Sequence, residues 1–235
     1  ALELDGRLQD LSTRIPDQGR VRLITTRDAE ALEIMRHTAA HVMAQAILRV
    51  YPEAKLTIGP VIEDGFYYDI DMAPISEEDF PRIEAEMEKI VQARLPIERR
   101  EVPKDEALAF YREEPYKREM IQDLADGTIS FYRQGDFTDL CRGPHLPHTG
   151  FVRAFKLTKV SGAYWRADQT KAQLQRVYGT AFFNKKDLKA YLTFLEEAKK
   201  RNHRKIGEAL ELFSFHEEAP GMAFFHPKGM VIWNA

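Results

Sequence analysis

Two histidines stand four residues apart in His37-Thr38-Ala39-Ala40-His41, within a stretch that reads as helix. Positions i and i+4 differ by about 40° around a helix, so both imidazoles face one way. A second pair repeats the spacing in Cys141-Arg142-Gly143-Pro144-His145, where Gly-Pro calls for a loop rather than a helix. Together they offer three ring nitrogens and one sulfur. That is a donor set a tetrahedral zinc ion accepts, and it also supplies imidazoles able to act as general base near neutral pH. Cys141 is the only cysteine of the chain. The bland alternative is coincidence of spacing. A helical metalloprotease pair needs Glu directly after the first His, and Thr38 stands there instead. The sequence holds no Gly-rich lysine loop for phosphate and no serine elbow. His148, His216 and His226 have no spaced partner and read as structural.

The elements that must position these residues follow from pattern. Asp28 is a good N-cap for a helix running to about Val50, where Tyr51-Pro52 ends it. Its middle is small (Ala39, Ala40, Ala44, Ala46), which lets another backbone approach. Leu56–Ile62 and Phe66–Met72 around Glu63-Asp64-Gly65 predict a hairpin, with Phe66, Tyr68, Ile70 and Met72 on one face. Ser76 and Asp79 resemble a capping box for a helix carrying Phe80, Ile83, Met87, Ile90 and Val91. Short helices are expected near 104–112 and 117–126, then strands and loops from Ile129 to Phe183. Asn184 caps a long helix with Leu188, Tyr191, Leu192 and Leu195 turned inward, which runs into the basic stretch 199–205. The class is α+β, without internal repeats.

Composition sets the outer limits. In 235 residues, 34 Lys+Arg against 37 Asp+Glu give a net charge of −3, with 44% hydrophobic residues. This supports a real core and excludes a uniformly basic nucleic-acid binder, while leaving room for a local basic patch. One cysteine excludes an intrachain disulfide framework. No apolar run reaches the roughly 18 residues of a membrane helix. The chain opens on Ala, and Val231-Ile232-Trp233-Asn234-Ala235 reads as a strand cut off midway, so a piece of a longer protein is expected.

The two spaced pairs resemble the editing domain shared by threonyl- and alanyl-tRNA synthetases. The surrounding words resemble the bacterial threonyl family: Ile58-Gly59-Pro60-Val61-Ile62, Gly65-Phe66-Tyr67-Tyr68-Asp69, Asp139-Leu140-Cys141-Arg142-Gly143-Pro144-His145, Gly162-Ala163-Tyr164-Trp165-Arg166 and Leu174-Gln175-Arg176-Val177-Tyr178-Gly179-Thr180-Ala181. The resemblance covers nearly the whole chain. It implies an α+β fold with antiparallel sheet packed against helices, then a long linker helix and the start of a class II synthetase core. By it, residues 1–27 are the tail of a small ubiquitin-like (TGS) domain and 28–183 the editing domain. Residues 184–202 become the linker helix, and 203–235, with Gly221-Met222 and His226-Pro227-Lys228-Gly229, the beginning of the catalytic domain. The ATP and Mg site and the amino-acid-binding zinc would lie beyond Ala235, so this piece is expected to edit rather than to aminoacylate.

The implied reaction is hydrolysis of serine from tRNA specific for threonine, at the terminal ribose ester. His37, His41, Cys141 and His145 would line the pocket as catalytic residues. Asp139 would hold the substrate ammonium or a histidine, and Lys117 would stabilise charge developing on the ester. Tyr116, Tyr164, Trp165 and Arg166 are the implied substrate contacts. For Tyr164 and Trp165 the alternatives are facing the terminal adenosine, packing in the core or serving as a surface anchor. Lys156, Lys159, Lys199, Lys200, Arg201, Arg204 and Lys205 are candidates for tRNA contact, with a plain solvated surface as the alternative. The threonyl branch is expected to work without bound metal. In the alanyl branch the same four residues, His37, His41, Cys141 and His145, resemble zinc ligands. A cytoplasmic location, no membrane, and a parent homodimer joined through parts outside this piece complete the expectations, with the piece itself a monomer. Two rival readings are a zinc-dependent alanyl-type editing protein and a zinc-stabilised tRNA-binding module without catalysis.

Overall fold

Three short strands open the chain, β1 (Leu2–Leu4), β2 (Arg7–Gln9) and β3 (Val21–Leu23), paired antiparallel in the order β2-β1-β3. The computed structural model describes residues 1–234. Next comes α1 (Ala29–Val50), with Asp28 at its N-cap position as the sequence predicts. The Asp28 carboxylate does not cap the helix, however. It accepts hydrogen bonds from the Thr25 amide (2.7 Å), the Thr25 hydroxyl (2.8 Å) and Arg22 (3.0 Å), tying the helix start to the strand before it. Met35, Ala39, Ala40, Val42, Met43, Ala44, Ala46 and Ile47 are all buried, so α1 is surrounded rather than laid on a surface.

The elements that pack most closely on it follow it in the sequence. β4 (Lys55–Leu56), β5 (Val61–Ile62) and β6 (Gly65–Asp71) precede α2 (Phe80–Ala93). The capping box at Ser76 and Asp79 is present, and Phe80, Ile83, Met87 and Ile90 face α1 in one core. The expected hairpin is only partly regular. β5 and β6 do turn at Glu63-Asp64, but Leu56–Ile62 is not one strand. Pro60 has no N–H, and a Cβ at Gly59 would overlap the Tyr68 ring at 2.3 Å, so the chain leaves the ladder between β4 and β5.

β7 (Ile97–Glu101), α3 (Lys104–Phe110), α4 (Pro115–Asp123), β8 (Ser130–Gln134) and β9 (Phe137–Leu140) follow. α4 starts two residues before the expected position because Pro115 provides a ready first-turn residue. β7, β8 and β9 form a three-stranded antiparallel sheet. β10 (Ala154–Tyr164) and β11 (Gln173–Phe182) complete the larger antiparallel sheet, ordered β10-β11-β6-β4 with β5 also on β6, and α1 packs on β6 and β11. The α+β class with antiparallel sheets and helices stands.

The chain forms two compact units, Ala1–Leu188 and a second from Lys189 onward. α5 (Lys185–Lys200) spans this division; Asn184 accepts the Asp187 amide at 2.9 Å, as a cap should. The expected inward stripe, Leu188, Tyr191, Leu192 and Leu195, is only half-buried. The helix ends at Lys200, and α6 (His203–Ala209) starts afresh with Asn202 as its cap. β12 (Phe213–Ser214) pairs with β13 (Phe224–Phe225) before α7 (Pro227–Trp233). Val231, Ile232 and Trp233, read from sequence as strand, are therefore helical. Pro227 at the first turn starts the helix, and a short apolar run does not by itself distinguish helix from strand. Ala235 lies outside the described residues. Among the described residues no helix is long and apolar enough to cross a membrane.

Candidate active site

α1 sets His37 and His41 one turn apart, with ring centroids 5.4 Å apart and ring planes at 83°. The loop after β9 brings the second pair against them. Its start is held by the Cys141 amide donating to the Ser130 carbonyl (3.1 Å) and by the Ser130 hydroxyl donating to the Cys141 carbonyl (2.5 Å). The turn then needs Gly143, whose φ is +71° and whose missing Cβ would lie 1.8 Å from the Tyr132 hydroxyl. His145 lands with its ring 4.2 Å from those of both His37 and His41. Cys141 Sγ lies 3.1 Å from His37 Nε2 and 3.3 Å from His145 Nε2, and accepts the Gly143 amide at 3.3 Å.

A buried ion pair backs this cluster. Lys117 on α4 donates to Asp139 on β9, and both side chains are withdrawn from solvent. Tyr68 on β6 accepts from Lys117 (3.1 Å) and donates to Asp139 (2.5 Å), while the Leu140 amide donates to Asp139 at 2.8 Å. His41 Nε2 lies 3.6 Å from the same carboxylate. Burial works against the Asp139 charge, yet Lys117, His41 and the hydrogen bonds outweigh it and hold the group below its usual range.

The rings behave differently. Burial pushes His41 down to about 3 despite the attraction of Asp139, and pushes His145 well below its ordinary value. His37, half-buried, is lowered mainly by burial against the support of a backbone hydrogen bond to Pro144. Burial raises the Cys141 thiol to about 12. At neutral pH the cluster is three neutral imidazoles and a protonated thiol beside one ion pair. Such a set accepts protons; it does not offer a thiolate nucleophile. The four side chains also suit a soft-to-borderline cation. One donor atom from each of His37, His41, Cys141 and His145 lies within 4.8 Å of the others, so these residues could hold a metal ion.

The remaining expected residues divide. Tyr116 and Trp165 pack edge to face with centroids 5.2 Å apart, in a small core with Leu174; Tyr116 donates to Asp71 (2.7 Å) and the Trp165 indole to Glu119 (2.9 Å). That is core packing for Trp165, one of its three expected roles. Tyr164 is exposed. Arg166 adopts a left-handed conformation (φ +54°), pairs with Glu119 and Asp123, and shares with Cys141, Arg142, Met120 and Ser130 a cleft of about 340 Å³. A second cleft of about 400 Å³, lined in part by Tyr111, Glu114 and Thr138, reaches Lys117 and Asp139. Lys156 pairs with Glu84, and Lys159 lies over the Tyr178 ring. Lys199, Lys200, Arg201, Arg204 and Lys205 are exposed.

Sequence reasoning missed four contributors. Tyr68 was assigned to the core face of a strand, and its hydroxyl gave no separate signal. Thr38 was noted only for not being Glu. Tyr132 and Asp10 were not singled out at all. Asp10, just after β2, accepts the His145 amide (2.9 Å) and the Tyr132 hydroxyl (2.5 Å). A partner 135 residues away leaves no mark in local pattern.

Two imidazoles on a buried helix, a thiol and a third imidazole on a glycine-proline loop, and an antiparallel α+β frame define an aminoacyl-tRNA synthetase editing-type domain. Residues 129–178 match the family described as the threonyl and alanyl tRNA synthetase second additional domain. The chain is 67% identical over 235 residues to a threonine–tRNA ligase of Desulfosudis oleivorans, covering 100% of this chain and 37% of that protein. It is 55% identical over 235 residues to the enzyme of Methylococcus capsulatus (98% of this chain, 37% of that protein). With that of Thermotoga neapolitana it shares 53% over 236 residues (98% and 37%). Along its whole length the chain is thus similar to threonine–tRNA ligases, and it spans somewhat over a third of the length of these relatives.

Proposed function

We propose that this chain hydrolyses serine from tRNA specific for threonine and spares the correctly charged threonyl form. Serine and threonine share the hydroxyl and differ by one methyl, which is worth only about 1–3 kcal/mol of discrimination in a binding pocket. A second site that admits the smaller amino acid then removes the error. The observation that carries this reading is the neutral, buried proton-accepting cluster centred on Cys141, 3.1 and 3.3 Å from two imidazole Nε2 atoms and open to a cleft that Arg166 also lines.

In this mechanism the ester carbonyl is attacked by water, and the ribose oxygen leaves as a hydroxyl, taking up the proton that water first gives to a histidine. His37, the half-buried ring, takes the proton from water; its lowered pKa keeps it unprotonated at neutral pH. Cys141 and His145 orient the water and the ring. Asp139 holds the substrate ammonium or His41, and Lys117 stabilises the charge that develops on the carbonyl oxygen. Zinc, if bound by His37, His41, Cys141 and His145, would supply a Lewis acid. The reading favours hydrolysis without it, because four protein ligands leave no position open for water.

The wider assignments belong to the same proposal. Residues 1–27 are the tail of a TGS domain, 28–183 the editing domain, 184–202 the linker, and 203–235 the opening of a class II core whose remainder binds ATP, Mg and zinc. The exposed basic tract at 199–205 contacts the tRNA backbone. The intact enzyme is a cytoplasmic homodimer.

A deacylation assay on seryl- and threonyl-tRNA, both specific for threonine, tests the reading at high chain concentration. Serine release much faster than threonine release supports it, and equal release or none from folded chain overturns it. Metal analysis with a chelator arm separates the zinc alternative: activity unchanged by chelation supports water held by protein alone.

A further inference from the structure

Thr38 lies between the two histidines of α1 with its side chain fully buried, and its hydroxyl meets three polar groups at once. Oγ1 is 3.0 Å from the Ile34 carbonyl oxygen, 3.0 Å from the Leu146 amide nitrogen and 3.2 Å from His145 Nδ1. A hydroxyl has one proton and two lone pairs. The Ile34 carbonyl can only accept, so the proton belongs there. The Leu146 amide can only donate, so it takes one lone pair. The second lone pair is left for His145 Nδ1, and that contact is a hydrogen bond only when Nδ1 carries the proton. Turning the hydroxyl proton toward Nδ1 would give up the bond to the Ile34 carbonyl and set two oxygens 3.0 Å apart lone pair to lone pair in a dry interior.

We propose that Thr38 is a positioning residue that fixes the tautomer of His145, with Nδ1 protonated and the Nε2 lone pair presented to Cys141. The consequence falls on the 3.3 Å contact between Nε2 and Sγ. With Nε2 unprotonated, His145 accepts a hydrogen bond from the thiol or from a bound water. With Nε2 protonated it could do neither, and would donate to sulfur instead. Position 38 therefore asks for a hydroxyl inside a helix, where a residue that bonds back to the i−4 carbonyl is otherwise neutral to unfavourable. The significance for hydrolysis rests on the editing reading; the tautomer itself does not.

Ring nitrogen-15 spectra of the 235-residue chain at neutral pH read the tautomer directly, with the His145 resonances assigned by their loss in His145→Gln. The wild type and Thr38→Ser are expected to show a protonated-type Nδ1 and an unprotonated-type Nε2. Thr38→Val, near in size but without the hydroxyl, is expected to move His145 toward the Nε2-protonated form. In the deacylation assay kcat should fall at least about tenfold in the Val variant with KM little changed, and the Ser variant should restore it. A protonated Nε2 in the wild type, or an unchanged tautomer in folded Thr38→Val, overturns the proposal. If circular dichroism shows the Val variant unfolded, the wild-type and Ser spectra decide it alone. The two readings fail separately. A Thr38-dependent Nδ1–H ring in a chain that releases neither amino acid sinks editing and keeps the tautomer, whereas efficient serine release with a protonated Nε2 does the reverse.

Discussion

Cys141 and Ser214 stand in the same local arrangement. Cys141 Sγ lies between two imidazole Nε2 atoms at 3.1 and 3.3 Å, and Ser214 Oγ lies between those of His216 and His226 at 3.0 Å each. The surroundings differ. Of the rings beside Cys141, His145 is almost wholly buried and His37 half-buried, with buried His41 and the Lys117–Asp139 pair behind them and Asp10 on the His145 amide. By contrast His216 is exposed, His226 is half-buried, and the Glu211–Lys228 pair near them lies on the surface. A hydroxyl or thiol between two histidines is thus not enough to make a reactive site. Burial keeps the inner rings neutral and strengthens each fixed contact, while water weakens and competes for the outer ones.

That contrast can be broken by substitution. The largest expected effect is on hydrolysis: His37→Ala or Cys141→Ala should slow serine release by about 10²–10⁴-fold, as loss of a proton acceptor or its orienting partner does. Ser214→Ala should leave the rate within about twofold. Equal losses from both sites would erase the distinction. Next comes Lys117→Met, which leaves the buried Asp139 carboxylate uncompensated and should destabilise the chain by about 3–5 kcal/mol in denaturant titration. Lys228→Met, at an exposed pair, should change little.

A smaller effect is expected from Asp10→Ala. It strips the His145 amide and the Tyr132 hydroxyl of their acceptor, and should cost about 1–3 kcal/mol together with slower serine release. A change of pH tests the same burial without altering a residue. Below the unfolded value of 6.5, an unfolded chain takes up protons that folded His41 and His145 refuse, so stability falls as pH drops from there. Each ring contributes a slope of up to about 1.4 kcal/mol per pH unit, and none above that pH, where both states are neutral. A melting temperature flat from pH 7 to 5 would contradict the burial assigned to these rings.

The four-residue spacing of His37 and His41 was legible because helical periodicity is local, and the Gly-Pro in the second pair marked a loop for the same reason. The α1 boundaries, the start of α2 with its capping box at Ser76 and the turn at Glu63-Asp64 were readable on equal terms. Less regular stretches escaped. The ladder break at Gly59-Pro60 depends on the Tyr68 ring beneath it, and the helical state of Val231–Trp233 depends on how Pro227 starts the turn. His216 and His226, set aside for want of spaced partners, share Ser214 only because β12 pairs with β13.

By itself the sequence determined which residue types are available, that the two pairs have one-turn spacing, and which family the surrounding words resemble. Tertiary structure decided everything that depends on distance across the chain. It put Cys141 between two rings that lie 104 residues before it and 4 residues after it, Asp10 under a loop 135 residues away, and one Thr38 hydroxyl where three partners leave its proton a single place to go. The physical reason is that helix and turn preferences act within a few residues. Desolvation, charge pairing and tautomer choice are instead set by whatever packs alongside, wherever it lies in the sequence.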